Sequence, residues 1–429
     1  MNNGQRRKNY SLWQVFQPVV GWVLILLWCF GAQPAAFGQW PPAGSANTTQ
    51  KRLRQLEAYA RKAPQAYATH PARLANYLAA AAQTPTETVY AFYVWVAHHI
   101  SYDMKAFLAH QVANQQPYAV LASKTAVCQG YSNLMQVLCA QVGIDCRVVS
   151  GYSKGYGYVP GQQFAASDHA WNAVLLNSSW HLLDVTWAAR QSNRPDLLPA
   201  RPFSRQYFLT EPAIFRQHHL PEDPLWQLCS PLLSLPAFEA GQAGATATKK
   251  LPGMAVNAEL ALPPGQQQVN SYTRIRQFNP RHKTATYWLA HSWLFRALDT
   301  LSTVHAIEYP HALQQMPFFE QAYFAMFDSA ANYLAQVPPN AGLANEVARL
   351  NNELLYQRGV FYYEAGMQLY NTIVSQPRAV WLKHRRQYYT EMNCWWDVAI
   401  GWLNQVPPGT FYYDDAQEYI HDYIGQNRP

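Results

Sequence analysis

The segment from Asp168 to Trp187, DHAWNAVLLNSSWHLLDVTW, constrains the fold of this chain more than any other. Two runs of alternating apolar residues flank Asn177-Ser178, and this period-two pattern predicts two antiparallel strands joined by a short turn. The length of the turn decides whether His169 can reach Asp184. A two-residue loop pairs Trp171 with Asp184 and leaves His169 diagonal to it, about 7–8 Å away between backbones. A four-residue loop places His169 directly opposite Asp184, whereas a three-residue loop places them on opposite faces.

A predicted helix upstream of this hairpin supplies a cysteine. In AVCQGYSNLMQVLCAQVGIDC, residues 126–146, apolar residues recur at helical spacing after Cys128, and Gly143 stands where a helix would end. Cys128 therefore lies at a helix N-terminus, where unpaired N–H groups and the helix dipole stabilise a thiolate. A thiol nucleophile, then His169 as base and Asp184 as its orienter, forms the arrangement of a catalytic triad.

An ordered set of motifs resembles the transglutaminase-like superfamily. The motifs are VWVAHHISYD, CQGYS beginning at Cys128, GIDCRVVSGY, DHAWNAV, WHLLDVTW and YFLTEPAIFRQHHLPEDPLWQL, and they run from about Thr84 to Leu228, roughly a third of the chain. Gly130 and Tyr131 fit the usual pattern after the nucleophile. The whole set is most similar to bacterial members that resemble kyphoscoliosis peptidase.

The resemblance implies a fold and a chemistry. The fold is a papain-like α+β core, in which the helix that bears the cysteine packs on an antiparallel sheet. The site would use the Cys128 thiolate as nucleophile, His169 as base and Asp184 as the orienter of that base. The helical region from about Lys283 onward has no counterpart in the resemblance.

Trp95 and Tyr102 are candidates for a second oxyanion donor. A tryptophan N–H or a tyrosine O–H can join the Cys128 backbone N–H in binding a developing oxyanion. Trp171 and Trp187 are expected to be packing residues.

Two histidine pairs, His98-His99 and His218-His219, do not predict a metal site. Adjacent residues on a helix point about 100° apart, and no third and fourth ligand follows at zinc spacing. We therefore expect neither a metal nor a cofactor.

The segment 1–38 is typical of a signal peptide. Arg6, Arg7 and Lys8 precede the short apolar run Val19–Phe30, and small residues follow as far as Gly38. The run is shorter than the ~18 residues that span a bilayer. The sequence thus predicts a secreted or periplasmic protein that meets a membrane only through this segment, with a retained anchor or a lipoprotein as the alternative.

The net charge and the number of cysteines limit which partners and disulfides we expect. The segment 1–38 holds three basic side chains and no acidic one, so its removal lowers the formal net charge from +7 to +4. No dense Lys/Arg run alternates with aromatic residues, so we expect no nucleic-acid partner. Five cysteines remain, and an odd number leaves at least one thiol unpaired within the chain. They are Cys128, Cys139, Cys146, Cys229 and Cys394.

A length of 429 residues predicts two domains. Apolar residues recur at helical spacing over 49–82, and a further predicted helix follows with Thr84 or Thr86 as its N-cap. We expect these helices to begin a transglutaminase-like domain over 49–235. The segment 236–280 is rich in Gly, Pro and small side chains and predicts a linker.

A sequence motif occurs twice within the predicted helical domain at 281–429. FDSAANYLAQVPP from Phe327 recurs as WDVAIGWLNQVPP from Trp396. The distance between the two copies is about two helical-hairpin repeats of roughly 34 residues each. This spacing predicts an all-α domain of helical repeats or a bundle. A shared way of ending a helix, with Val-Pro-Pro as the stop, is the alternative.

Two classes of function follow from the sequence. The first is a cysteine acyl-transfer enzyme that attacks a carboxamide or peptide carbonyl and passes the acyl group to an amine or to water. Its partner is a protein or peptide substrate, and the helical domain offers a surface for a further protein. The second class is a catalytically silent scaffold or binding protein of the cell envelope.

Overall fold

The structure is a computed structural model that describes residues 47–425 except 195, 199, 243–248, 251–252, 305–310 and 376. The predicted signal peptide lies outside the described residues. Within the described ranges, no helix has both the length and the apolar character needed to cross a membrane.

The N-terminal half is α+β, as predicted. Its helices are α1 (Asn47–Arg61), α2 (Pro71–Ala79), α3 (Pro85–His99), α4 (Met104–Ala109), α5 (Pro117–Ser123), α6 (Cys128–Ala140), α7 (Pro212–Phe215) and α8 (Leu235–Glu239). Its strands are β1 (Ser101–Tyr102), β2 (Thr125–Ala126), β3 (Cys146–Ser153), β4 (His169–Leu176), β5 (Ser179–Leu183), β6 (Phe208–Thr210), β7 (His219–Pro221), β8 (Cys229–Ser230) and β9 (Lys249–Lys250).

Helix α3 is the central helix of this half, and hydrogen bonds to two side chains fix its start. The Thr84 hydroxyl accepts a hydrogen bond from the Glu87 N–H at 3.1 Å, and the Glu87 carboxylate accepts one from the Gln83 N–H at 2.8 Å. Thr84 rather than Thr86 is therefore the N-cap. Residues 88–97 are all buried, so α3 is enclosed by the core on every side.

The predicted hairpin is confirmed, and its register is that of a two-residue loop. Leu176 pairs with Ser179, so the loop consists of Asn177 and Ser178 alone. Both loop residues have positive φ, 50° and 61°, as a type I′ turn requires. Of the three loop lengths considered, the two-residue loop is the one present, and it carries Asp184 to the position next to Trp171.

This hairpin lies at the centre of a five-stranded antiparallel sheet with the order β6-β5-β4-β3-β7. Helix α6 packs across β3 and β4. The buried Asn172 side chain on β4 donates a hydrogen bond to the Ser132 carbonyl on α6 at 3.0 Å. The start of α6 and the start of β4 are thereby held together, which brings the predicted nucleophile and base to one place.

The segment 236–280, predicted as a linker, contains regular secondary structure. This segment includes most of α8, strand β9, α9 (Gly253–Leu260) and α10 (Pro264–Phe278). It is bound to the sheet domain by polar contacts: Arg274 forms two hydrogen bonds with Asp223 at 2.7 and 2.8 Å, and Trp180 Nε1 donates to Asn257 at 2.8 Å. Apolar periodicity does not report contacts of this kind, so the sequence pattern missed them.

The C-terminal region is helical, as predicted. It contains α11 (Ala285–Val304), α12 (His311–Ala335), α13 (Ala344–Val374), α14 (Arg378–Leu403) and α15 (Tyr413–Glu418), followed by a π-helical turn at Tyr419–Ile424. Helix α12 packs on α11, and α14 packs on α13. Phe327 and Leu334 of α12 are buried in one hydrophobic cluster. Trp396 and Leu403 of α14, which occupy the same positions in the second copy of the motif, are buried in another. The repeated motif thus marks equivalent buried positions in two helical pairs.

Candidate active site

Cys128 is the first residue of α6 and is half-buried. The N-cap, Val127, makes no side-chain capping bond, and its own N–H donates to Gln115 Oε1 at 3.0 Å. The first-turn amides of α6 are therefore not capped by a side chain, and they point toward the region around the Cys128 thiol. The structure confirms the predicted place of Cys128 at a helix N-terminus.

Close packing explains the glycine two residues after the cysteine. A Cβ at Gly130 would lie 2.4 Å from Gln115 Oε1 and 2.8 Å from the Ala126 Cβ. The neighbouring Asn133 side chain donates to the Gln115 carbonyl at 3.0 Å. Gly130 thus lets Gln115 reach the start of α6 and hold it in place.

His169, the first residue of β4, lies between Cys128 and Asp184. Its Nε2 is 2.8 Å from Asp184 Oδ2, and the two side chains are 7% and 0% exposed. Cys128 is a close neighbour of the same imidazole, since it contributes to the pKa of His169. Burial alone would lower the pKa of His169, but the charge and hydrogen bond of Asp184 and the contact with Cys128 raise this pKa to about 10. These neighbours therefore stabilise the imidazolium form of His169.

Asp184, just after β5, is fully buried and accepts four hydrogen bonds. Oδ1 accepts from the backbone N–H groups of Thr186 and Trp187 at 2.8 and 3.2 Å. Oδ2 accepts from His169 and from a second histidine, His219, at 2.8 and 3.0 Å. Burial alone would raise the pKa of Asp184, but these two histidines hold it well below the usual value.

His219 is the residue of the site that the sequence analysis did not identify. It lies on β7, whose residues 219–221 pair with residues 151–153 of β3, and its side chain has no exposed surface. In the sequence His219 stands out only as part of the His218-His219 pair, which does not predict a metal site. No local pattern indicates that β7 returns beside the hairpin, because that pairing joins segments far apart in the chain.

Two histidines and a carboxylate are also a donor set that transition metals use. The three ligand atoms of His169, Asp184 and His219 lie within 4.8 Å of one another. Both histidine nitrogens are, however, within hydrogen-bond distance of the same carboxylate oxygen. A hydrogen-bonded network accounts for this geometry without an ion.

Tyr102 lies near Cys128, whereas the contacts given for Trp95 among the described residues do not include Cys128. Strand β1 pairs in parallel with β2, so Tyr102 stands opposite Ala126, two residues before the cysteine. Burial, then the nearby charges of Cys128 and Asp184, raise the pKa of the Tyr102 phenol far above its usual value. The contacts that the structure gives for Trp95 are with His99, stacked at 4.7 Å, and with Lys124 above the indole ring.

Comparison with known proteins identifies the segment that carries this site. Residues 72–185 match the family model described as the transglutaminase-like superfamily, and this range includes Cys128, His169 and Asp184. Human kyphoscoliosis peptidase is 40% identical over 162 residues, which are 37% of this chain and 24% of that protein. The chain therefore spans about a quarter of the length of this relative.

Other relatives show the same partial coverage. The Lim and transglutaminase domain protein ltd-1 of Caenorhabditis elegans is 29% identical over 175 residues, 38% of this chain and 24% of that protein. A solved structure titled as that of a TGase covers 34% of this chain and 35% of that chain at 21% identity, with a TM-score of 0.22, a likeness too weak to add to the fold argument. These relatives do not test the predicted similarity to bacterial members, which stays a prediction.

Proposed function

We propose that this chain, whose residues 72–185 form a transglutaminase-like domain, is a cysteine acyl-transfer enzyme. It would act on protein carboxamides or peptide carbonyls through a thioester. One observation carries the proposal: His169 is hydrogen-bonded to the buried Asp184, and Cys128 lies close enough to raise the pKa of the same imidazole. A nucleophile, a base and an orienter close together are what covalent acyl transfer needs.

The chemistry has two halves. In the first, Cys128 Sγ attacks the carbonyl carbon, the carbon–nitrogen bond breaks, and the His169 imidazolium gives its proton to the departing ammonia or amine. In the second, His169 takes a proton from an incoming amine or water, which attacks the thioester. The carbon–sulfur bond then breaks and the Cys128 thiolate returns.

The negative oxygen of each tetrahedral intermediate needs hydrogen-bond donors. The Cys128 backbone N–H, at the uncapped end of α6, is the first donor in this proposal. The Tyr102 hydroxyl is the second, because the β1–β2 pairing brings it beside the first turn of α6.

The acceptor decides which reaction results. An amine acceptor gives cross-linking, and water gives deamidation or proteolysis. The name of the relative kyphoscoliosis peptidase favours water and peptide bonds as the first combination to test. We further propose that the enzyme works outside the cytoplasm, secreted or periplasmic, and that its helical domain binds a protein partner.

A three-readout assay tests the proposal. The purified protein is incubated with glutamine-containing proteins, and amine incorporation, ammonia release and peptide-bond cleavage are followed together. Cys128→Ala should abolish the product, while Cys394→Ala, which removes the exposed cysteine of α14, serves as the matched control and should retain it.

A defined set of results would refute the enzyme proposal. If the wild-type protein forms none of the three products across a broad panel, while Cys128→Ala binds its cellular partner as well as wild type does, the enzyme proposal fails. The domain would then be a scaffold that keeps the fold without turnover.

A further inference from the structure

We propose that His219 is a positioning residue of this site, which keeps Asp184 ionised and in the rotamer that orients His169. This inference rests on the proposed function, since it assigns a role within the same triad. His219 acts through Asp184 and not on the substrate.

The geometry of the Asp184 carboxylate supports this role. His219 Nε2 and His169 Nε2 both lie within 3.0 Å of Oδ2, while two backbone N–H groups occupy Oδ1. An ionised carboxylate has about four acceptor positions, so all of them are filled. Loss of the His219 hydrogen bond leaves one acceptor position of the buried Asp184 carboxylate without a donor. Burying a charge without full hydrogen bonding costs free energy.

The chemical state of His219 follows from its surroundings. A ring nitrogen that faces an anionic oxygen must carry the proton, so His219 is the Nε2–H tautomer. Its Nδ1 is buried and has no hydrogen-bond partner among the described residues, which suits an unprotonated nitrogen better than a second N–H. Burial lowers the pKa of His219 to about 4, only partly offset by Asp184. His219 therefore donates a hydrogen bond while neutral.

The neutral state of His219 matters because His169, and not His219, must carry the positive charge beside Asp184. A cation in place of His219 would repel the His169 imidazolium across the shared oxygen. A neutral donor stabilises the carboxylate without that repulsion. The other titratable groups that face His219 are Tyr207, with ring centroids 5.9 Å apart, and the preceding His218.

Aromatic packing holds the His219 ring in one orientation. The ring stacks on Phe215 at 4.1 Å with an interplanar angle of 26° and lies 4.2 Å from Trp187, between centroids. Trp171 closes a third side at 5.2 Å. A phenyl ring is similar in shape to the imidazole, so a His219→Phe variant is designed to remove the donor and keep most of the packing.

Strand β7 is also anchored from the C-terminal side. Glu222, the residue after β7, is hydrogen-bonded to His282, and Asp223 forms an ion pair with Arg274 of α10. These contacts fix the end of the strand that carries His219. The segment that the sequence presented as a linker therefore supports the site.

The test follows alkylation of Cys128 by iodoacetamide as a function of pH, with the labelled cysteine quantified by mass spectrometry. Removal of a donor raises the pKa of a carboxylate and weakens its support of the imidazolium. In His219→Phe, the acid limb of the alkylation profile should move to higher pH by about one unit, the effect of one charge-assisted hydrogen bond. His219→Gln, whose amide N–H can replace Nε2–H, should recover at least half of that shift. His218→Phe, the matched control on the neighbouring residue, should leave the profile in place.

A profile of His219→Phe that coincides with wild type overturns the proposal, and so does an equal shift in the Phe and Gln variants. If His219→Phe does not fold, ¹⁵N-histidine NMR of the wild-type protein decides instead: a neutral Nε2–H tautomer at pH 7 supports the proposal, and an imidazolium or Nδ1–H tautomer overturns it. Alkylation needs no substrate. An absence of acyl transfer would therefore refute the proposed function without touching this result.

Discussion

Tyr102 and Ala126 stand opposite each other in the parallel pair of β1 and β2, and this pairing places a phenol beside the first turn of the helix that begins at Cys128. The contact joins two short strands that precede α4 and α6. In the proposed mechanism, Tyr102 is an oxyanion donor whose position does not depend on the five-stranded sheet.

The first prediction concerns this donor. Tyr102→Phe should lower kcat by about 10²-fold with little change in KM, because a lost oxyanion donor weakens binding of the transition state alone. Steady-state kinetics on a hydrolysed substrate measure both constants. Tyr118→Phe, on a side chain that is 56% exposed, should match wild type. An unchanged kcat in Tyr102→Phe would remove the phenol from the oxyanion site.

The second prediction separates the base from its orienter. His169→Ala should abolish acyl transfer with the fold intact, because the imidazole both takes the thiol proton and returns it to the leaving amine. Asp184→Asn should leave more residual activity, since it misplaces the imidazole or its tautomer without removing it. Product formation and circular dichroism are measured on the same samples. Equal activity of Asp184→Asn and wild type would contradict the orienting role.

The third prediction concerns pH and stability. The folded-state pKa of His169, about 10, lies above its ordinary value of 6.5, so the pair with Asp184 stabilises the fold fully below pH 6.5. This stabilisation is lost as the pH rises toward 10, with a slope of up to about 1.4 kcal/mol per pH unit. The difference in free energy of unfolding between wild type and His169→Ala should therefore shrink from pH 6 to pH 10. A difference that grows over this range would contradict the ion pair.

The sequence predicted the hairpin, and with it the approach of His169 to Asp184, because both depend on local chemistry. Positive φ at Asn177 and Ser178 suits a two-residue turn, and strand alternation then fixes the face of His169 relative to Asp184. The place of Cys128 followed from helical periodicity in the same way. Each of these features is formed by residues that lie within a few positions of the sequence pattern that predicts it.

Features that rest on contacts between distant segments were not predictable. The bond from His219 to Asp184 joins residues 35 positions apart, and the bonds from Arg274 to Asp223 join residues 51 apart. Such contacts are polar and carry no periodic signal, so the second histidine was missed and the packed helices α9 and α10 were interpreted as a linker.

The fourth prediction follows from that packing. Residues 253–278 should resist limited proteolysis, because their backbone is helical and their side chains bind the sheet domain. Arg274→Ala should make cleavage there faster by releasing Asp223, whereas Lys283→Ala, an exposed lysine nearby, should not. Digestion followed by mass spectrometry locates the sites. Early cleavage within 253–278 in the wild-type protein would contradict the structural account of this segment.

The most direct test of the central claim, that His169 and the helix terminus activate Cys128, compares two cysteines in one protein. Cys139, Cys146 and Cys229 are buried, whereas Cys394 is exposed and lies far along the chain on α14, so Cys394 is the stringent reference. The measurement is the ratio of the iodoacetamide alkylation rates of Cys128 and Cys394 at pH 6, in wild type and in His169→Ala. The account predicts that half-buried Cys128 reacts at least about tenfold faster than exposed Cys394 in wild type, and that the ratio collapses in His169→Ala. A wild-type ratio of one or less, or a ratio unchanged by the loss of His169, would contradict it.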